Sequence, residues 1–136
     1  MRALLIAASA LALAGSAHAG KEERDYQANE LAPAMKDAAS ALLKGCGCAW
    51  KTNVNWDTFK TKDQMMLLRY FSTSVAENAR RYCDTAASKK AICQLKTLNM
   101  SVGKPTSFVF QNGTGTWITD GQSYSDWDVV AEAVDK

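Results

Sequence analysis

Four cysteines carry the most reactive chemistry in this sequence of 136 residues: Cys46, Cys48, Cys83 and Cys93. The stretch GCGCAW places Cys46 and Cys48 on either side of one glycine, and nine residues separate Cys83 from Cys93. Thiolates can form disulfides, hold a soft metal ion or exchange electrons. Zinc sites usually space paired cysteines by two to four residues, and thiol oxidoreductases use C-x-x-C. Neither spacing is present, and an even number of cysteines in an exported chain favours two structural disulfides.

Four cysteines allow three pairings, and the sequence alone does not choose among them. A bond between Cys46 and Cys48 would close a very small, strained ring. We therefore favour the two pairings in which both bonds join the 46/48 segment to the 83/93 segment. Each bond would then close a loop of roughly 35 to 47 residues, worth about 3–4 kcal/mol in the chain-entropy model. A thiol-redox or metal-binding role for Cys46 and Cys48 stays an alternative.

The N-terminus predicts export. Arg2 precedes the apolar run ALLIAASALALAG, and AHA at 17–19 offers a signal-peptidase site, so we expect residues 1–19 to be a cleaved signal peptide. The only histidine, His18, leaves with that peptide. A mature chain without histidine excludes Ser-His-Asp and Cys-His catalysis and histidine-ligated metal sites. We expect a periplasmic or secreted protein that needs no cofactor or metal and is not inserted in a membrane.

Two further groups suggest glycan chemistry. Asp120, Asp126 and Asp128 cluster around one turn, and a carboxylate pair can perform glycosidase acid–base catalysis. Trp50 and Trp56 lie in one stretch and can stack on sugars. Turn formation and helix capping account for the aspartates without any catalytic role, and core packing accounts for the tryptophans. A small glycan-binding or glycan-cleaving domain is a second alternative, and we assign no catalytic residue.

The charge pattern indicates a protein partner. The predicted mature chain has 15 basic and 14 acidic residues, too even a balance for a nucleic-acid-binding surface. Residues 50–104 nevertheless carry ten Lys and Arg against four acids. On a helix, Lys62, Arg69 and Arg80 share one side and form a basic row that would suit an acidic partner. A second predicted contact is the turn at Asn112 and Gly113.

Periodicity predicts the elements that hold these residues. Apolar spacing indicates a helix over about 33–44, ended by Gly45, and a longer one over 61–83. Residues 45–60 read as a loop, and alternation indicates a strand over 92–102. Asn112–Gly113 between two β-rich runs predicts a hairpin, and a short helix capped by Ser125 or Asp126 ends the chain.

We therefore predict an α+β fold over residues 20–136, as one small domain. Two N-terminal helices would pack on an antiparallel three-stranded meander sheet, followed by a short C-terminal helix. Disulfides would brace this domain. The function this favours is non-enzymatic: an exported module that binds another protein of the cell envelope. An inhibitor or immunity-type protein acting on an envelope enzyme fits that description.

Overall fold

The computed structural model describes residues 20–135, so the predicted signal peptide lies outside the described residues. The fold is α+β and has a helical layer on one face of a four-stranded mixed sheet. In chain order the elements are α1 (Lys21–Tyr26), a π-helical turn (Gln27–Leu31), α2 (Ala32–Cys46), β1 (Lys51–Val54), a 3-10 turn (Trp56–Thr58), α3 (Lys62–Tyr82), α4 (Ala86–Ile92), β2 (Thr97–Val102), β3 (Ser107–Gln111), β4 (Thr114–Thr119) and α5 (Trp127–Val134).

The prediction of three antiparallel strands was wrong. The strand order is β1-β2-β4-β3, with β1 parallel to β2, β2 parallel to β4, and only β3 antiparallel to β4. The last strand inserts between β2 and β3 because its inward side chains are the most deeply buried. Trp117 of β4 is fully buried and stacks on Phe71 of α3 at a ring-centroid distance of 4.9 Å. The central position thus goes to β4, and β3, which exposes Val109, takes the edge.

Helix α2 extends beyond its predicted end. Gly45 lies inside the helix, and Gly47, with φ of 76°, supplies the left-handed C-terminal residue instead. A Cβ at Gly45 would lie 2.9 Å from the Cα of Arg80, so the missing side chain lets α2 approach α3 closely. Gly45 therefore allows close packing of the two helices, and Gly47, two residues later, ends α2.

Helix α3 lies at the centre of the helical layer. Thr61 caps it, because its hydroxyl accepts from the N–H of Gln64 and the Gln64 side chain accepts from the N–H of Thr61. Its predicted apolar stripe forms the core, with Met65, Leu68 and Phe71 buried. The final helix α5 begins at its predicted cap: the carboxylate of Asp126 accepts from the N–H of Asp128 at 3.0 Å.

The predicted strand over 92–102 begins later than expected. Residues up to Ile92 belong to α4, and the ladder of β2 starts at Thr97. Ile92 and Leu95 are both buried, and their spacing of three fits a helical turn, whereas in a strand they would point to opposite faces. The segment between them turns the chain from helix into sheet.

Candidate functional site

Two disulfides join the end of α2 to the segments around α4. Cys46 bonds to Cys83, and Cys48 bonds to Cys93. Both bonds join the two predicted segments, which confirms that expectation and selects one of the two pairings. Such bonds persist in oxidising environments such as those outside the cytosol. While they are formed, no thiolate remains at Cys46 or Cys48 for metal binding or disulfide exchange.

Two of the three aspartates hold the local backbone with their carboxylates. The carboxylate of Asp120 accepts from the N–H groups of Ser123 at 2.7 Å and of Gln122 at 2.8 Å, and also from the Ser123 hydroxyl. These hydrogen bonds, chiefly those from the backbone of Ser123 and Gln122, lower the pKa of Asp120 to about 2. Asp126 caps α5, and Asp128 belongs to its first turn. Turn formation and capping thus occupy Asp120 and Asp126.

The two tryptophans suggested for glycan stacking are half-buried and pack against the core. Trp50 lines a void of about 20 Å³ together with Met35 and Val75. Trp56 meets the buried Phe59 edge-on, with ring centroids 6.1 Å apart. These contacts are those of side chains that close the edge of a core.

The basic row on α3 is partly neutralised by the N-terminal segment. The Nζ of Lys62 lies 3.4 Å from a carboxylate oxygen of Glu22 and 5.7 Å from the ring centre of Tyr26. A guanidinium nitrogen of Arg69 lies 3.5 Å from a carboxylate oxygen of Glu30. The acids come from α1 and the π-helical turn, whose place against α3 the sequence did not predict. Partner binding by Lys62, Arg69 and Arg80 remains a prediction.

Arg80 lies at the other end of that helix face, beside a shallow groove between α2 and α3. One part of the groove, of about 260 Å³, is lined by Glu30, Asp37, Arg69 and Glu77 among others. A second part adds Arg80 and Lys44 to Asp37 and Glu77. Because basic and acidic groups alternate along it, the groove presents no strong field of one sign.

The predicted hairpin joins β3 and β4. Asn112 has φ of 52° and Gly113 has φ of 79°, as a type I′ turn requires, and the two strands are antiparallel. The turn does not project freely, since the carbonyl of Gly113 accepts from the N–H groups of Lys96 at 2.7 Å and Thr97 at 3.1 Å. Gly113 is half-buried against these residues, and Asn112 is exposed.

The face of the sheet that points away from the helices is polar. Its middle row runs from Asn53 through Asn99 and Thr116 to Val109, and Asn53 donates from Nδ2 to Oδ1 of Asn99 at 3.1 Å. Short polar side chains on one face are typical of a sheet that packs on one side and meets solvent on the other.

Strand β1 has a free edge. The N–H of Lys51 bonds to the carbonyl of Lys96 at 2.8 Å, and that of Asn55 bonds to the carbonyl of Met100 at 2.9 Å. Backbone groups alternate between the two edges of a strand, so Thr52 and Val54 direct their N–H and C=O groups away from β2. Within residues 20–135, no strand pairs with β1 on that side. The sequence analysis missed this strand because KTNV is short and lacks apolar alternation.

Helix α2 overhangs that edge. Met35 and Ala38 line the small void with Thr52, which places α2 above β1, while Phe71 and Trp117 place α3 above β4. At about 100° per residue, Leu43 lies roughly 160° from Gly45, the residue that meets α3. The side of α2 formed by Ala39 and Leu43 therefore faces outward beyond β1.

Leu43 makes this side apolar. Its exposed fraction is 58%, and among the large hydrophobic residues of 20–135 only Val109 and Tyr124 are comparably exposed. Ala39 is also exposed, and Met35 is half-buried next to it. We call Met35, Ala39 and Leu43 the α2 strip. The strip and the free edge of β1 together form the candidate site.

Comparisons with known proteins give no family for this chain: no protein-family model, curated protein or solved structure matches it. In the part of the chain that the structure describes, no helix has the length and apolar character needed to cross a membrane.

Proposed function

We propose that this protein is an exported, non-enzymatic protein-binding module, and that its partner in the cell envelope docks at the free edge of β1. The observation that carries the proposal is the free edge of β1 at Thr52 and Val54, which no strand within residues 20–135 covers, beside the α2 strip. A strand edge of this kind binds an extended segment through main-chain hydrogen bonds. The exposed Leu43 beside this edge offers apolar surface that such a segment could cover.

Other properties support export and binding over catalysis. The Cys48–Cys93 disulfide braces the site, since its two cysteines lie just before β1 and β2. Asp120 and Asp126 are engaged in local hydrogen bonds, which leaves little for acid–base chemistry. An inhibitor of an envelope enzyme remains the most specific version of the proposal, because binding alone is enough for inhibition.

The test compares two variants at one position. Thr52→Pro removes the N–H that faces the free edge and leaves the hydrogen bonds to β2 intact, as proline on an edge strand allows. Thr52→Val keeps that N–H and the branched shape of the side chain. Each oxidised protein, immobilised, is incubated with a periplasmic extract of the source organism, and captured proteins are quantified by mass spectrometry.

We expect Thr52→Val to capture the same specific protein as the wild type. Thr52→Pro should capture at least tenfold less of that protein. Circular dichroism and melting of both variants check that the fold is kept. A specific partner captured equally by all three proteins would refute docking at this edge. If the captured protein is an enzyme, its activity with and without the wild type decides whether the module inhibits it.

A further inference from the structure

The charges around the candidate site define what kind of segment it accepts. Lys51 lies on β1 and points to the open face of the sheet, and Lys36 lies on α2 about 20° from Leu43 around the helix. Both side chains are exposed, and neither forms an ion pair within residues 20–135. This contrasts with Lys62 and Arg69, whose charges are met by acids of the same chain.

A strand added to β1 would alternate its side chains between two environments. One set would point under the overhang of α2, towards Met35, Ala39 and Leu43, where apolar side chains remove apolar surface from water. The other set would point to the open face of the sheet, beside Lys51 and Asn53, where acidic side chains meet uncompensated positive charge.

We propose that the free edge of β1 binds an extended protein segment that alternates apolar with acidic side chains. This inference rests on the proposed function and names the chemistry of the partner. A second copy of this chain fits the edge poorly, because β1 carries Lys51 and no acidic residue that could meet the Lys51 of another copy. Lysine on an edge strand is a common device against such pairing.

The direct test uses two synthetic probes on the intact, oxidised protein. One is the peptide Glu-Val-Glu-Val-Glu-Val-Glu, and its matched control is Lys-Val-Lys-Val-Lys-Val-Lys, each labelled for fluorescence anisotropy. We expect the glutamate probe to bind at least fivefold more tightly at low salt, and this preference to shrink as salt screens the charges. In two-dimensional NMR spectra, its binding should shift and protect the amides of Thr52 and Val54.

Two variants, each with a matched control, assign the chemistry to named side chains. Lys51→Glu should weaken binding of the glutamate probe about two- to fivefold and strengthen binding of the lysine probe, as expected for one exposed ion pair. Its control is Lys89→Glu on α4, which should change neither. Leu43→Glu should weaken the glutamate probe about tenfold or more. Its control is Val109→Glu on the far edge of the sheet, where the exposed fraction of 57% nearly equals the 58% of Leu43.

The outcomes separate this inference from the proposed function. Suppose that Thr52→Pro abolishes capture of the partner but that both probes bind equally well. This result would support docking at the β1 edge and refute the preference for acidic and apolar side chains. Edge amides unmoved by either probe would also overturn the inference. Self-association in sedimentation experiments that disappears in Thr52→Pro would make a second copy the occupant and refute it as well. A selective probe without any Thr52-dependent capture would refute the proposed function alone.

Discussion

Removing the disulfides one at a time and together tests how they stabilise the fold. The bonds Cys46–Cys83 and Cys48–Cys93 span 37 and 45 residues, and each alone would restrict the unfolded chain by about 4 kcal/mol. The two loops overlap almost completely, however. Cys48 follows Cys46 by two positions and Cys93 follows Cys83 by ten, so with one bond present the other closes a ring of only about 12 residues.

A ring of that length is worth about 3 kcal/mol in the chain-entropy model, whichever bond is removed. The entropic cost of the two single removals is therefore equal, and any difference between them reports packing. Cys46 and Cys83 are exposed by only 4% and 2%, whereas Cys48 and Cys93 are half-buried. Replacing the buried pair by alanine should cost about 1–2 kcal/mol more, through lost contacts and a small cavity.

We therefore expect Cys48→Ala/Cys93→Ala to lower the free energy of unfolding by about 3 kcal/mol, and Cys46→Ala/Cys83→Ala by about 4–5 kcal/mol. The quadruple variant should lose about 1 kcal/mol more than the two losses added together, because the first bond restored closes a longer loop than the second. Urea unfolding at 25 °C without reductant, followed by tryptophan fluorescence, measures all four proteins. A quadruple variant that is unfolded in buffer is measured in a series of trimethylamine N-oxide concentrations and extrapolated to zero.

Two results would refute this reasoning. Equal losses for the two single removals would show that burial of Cys46 and Cys83 adds nothing. A quadruple variant that loses no more than the summed single losses would show that the overlapping loops do not restrict the unfolded chain as a shared ring.

Further predictions concern single positions. Gly113→Ala should lower the free energy of unfolding by about 1 kcal/mol, measured by urea unfolding, because its positive φ strains any residue with a Cβ. Burial, with a hydrogen bond to Asp135 and the charge of that carboxylate, raises the pKa of Tyr82 to about 12. Absorbance at 295 nm should show Tyr82 ionising near pH 12, and Asp135→Asn should lower that pKa. Since the unfolded pKa of Tyr82 is lower, its contribution to stability is complete below pH 10 and is lost as pH rises towards 12. Asp120 should titrate near pH 2 in carboxyl NMR spectra, so its contribution to stability is present above its unfolded pKa of 3.8 and is lost as pH falls from there through the folded pKa of about 2.

The sequence predicted the elements whose signals are local. Asn112–Gly113 specified its hairpin turn because positive φ at both positions suits few other residue pairs. The stripe of Met65, Leu68 and Phe71 specified α3 because it repeats over many turns. The expectation that the cysteines bond between segments was also confirmed, since strain alone disfavoured a bond within GCGC.

What the sequence did not predict depends on distant partners. Strand β1 pairs with β2 across a crossover that contains α3 and α4. Its four residues, Lys51–Val54, include one valine and give no sequence signal of that pairing. The insertion of β4 between β2 and β3 follows from the burial of Trp117 against Phe71, a contact between residues far apart in the chain. The candidate site arises from the same long-range arrangement, because Leu43 matters only once α2 lies above β1.

The overlapping disulfides also determine how the folded chain would respond to mechanical tension. A pull applied near residues 20 and 135 would cross from Cys48 directly to Cys93, so β1, α3 and α4 would carry no covalent load. The load would pass instead through α1 and α2 before Cys48, and through β2, β3, β4 and α5 after Cys93. Resistance to stretching therefore depends on the packing of α1 and α2 and on the hydrogen bonds between the last three strands, while α3 is held as an unloaded loop.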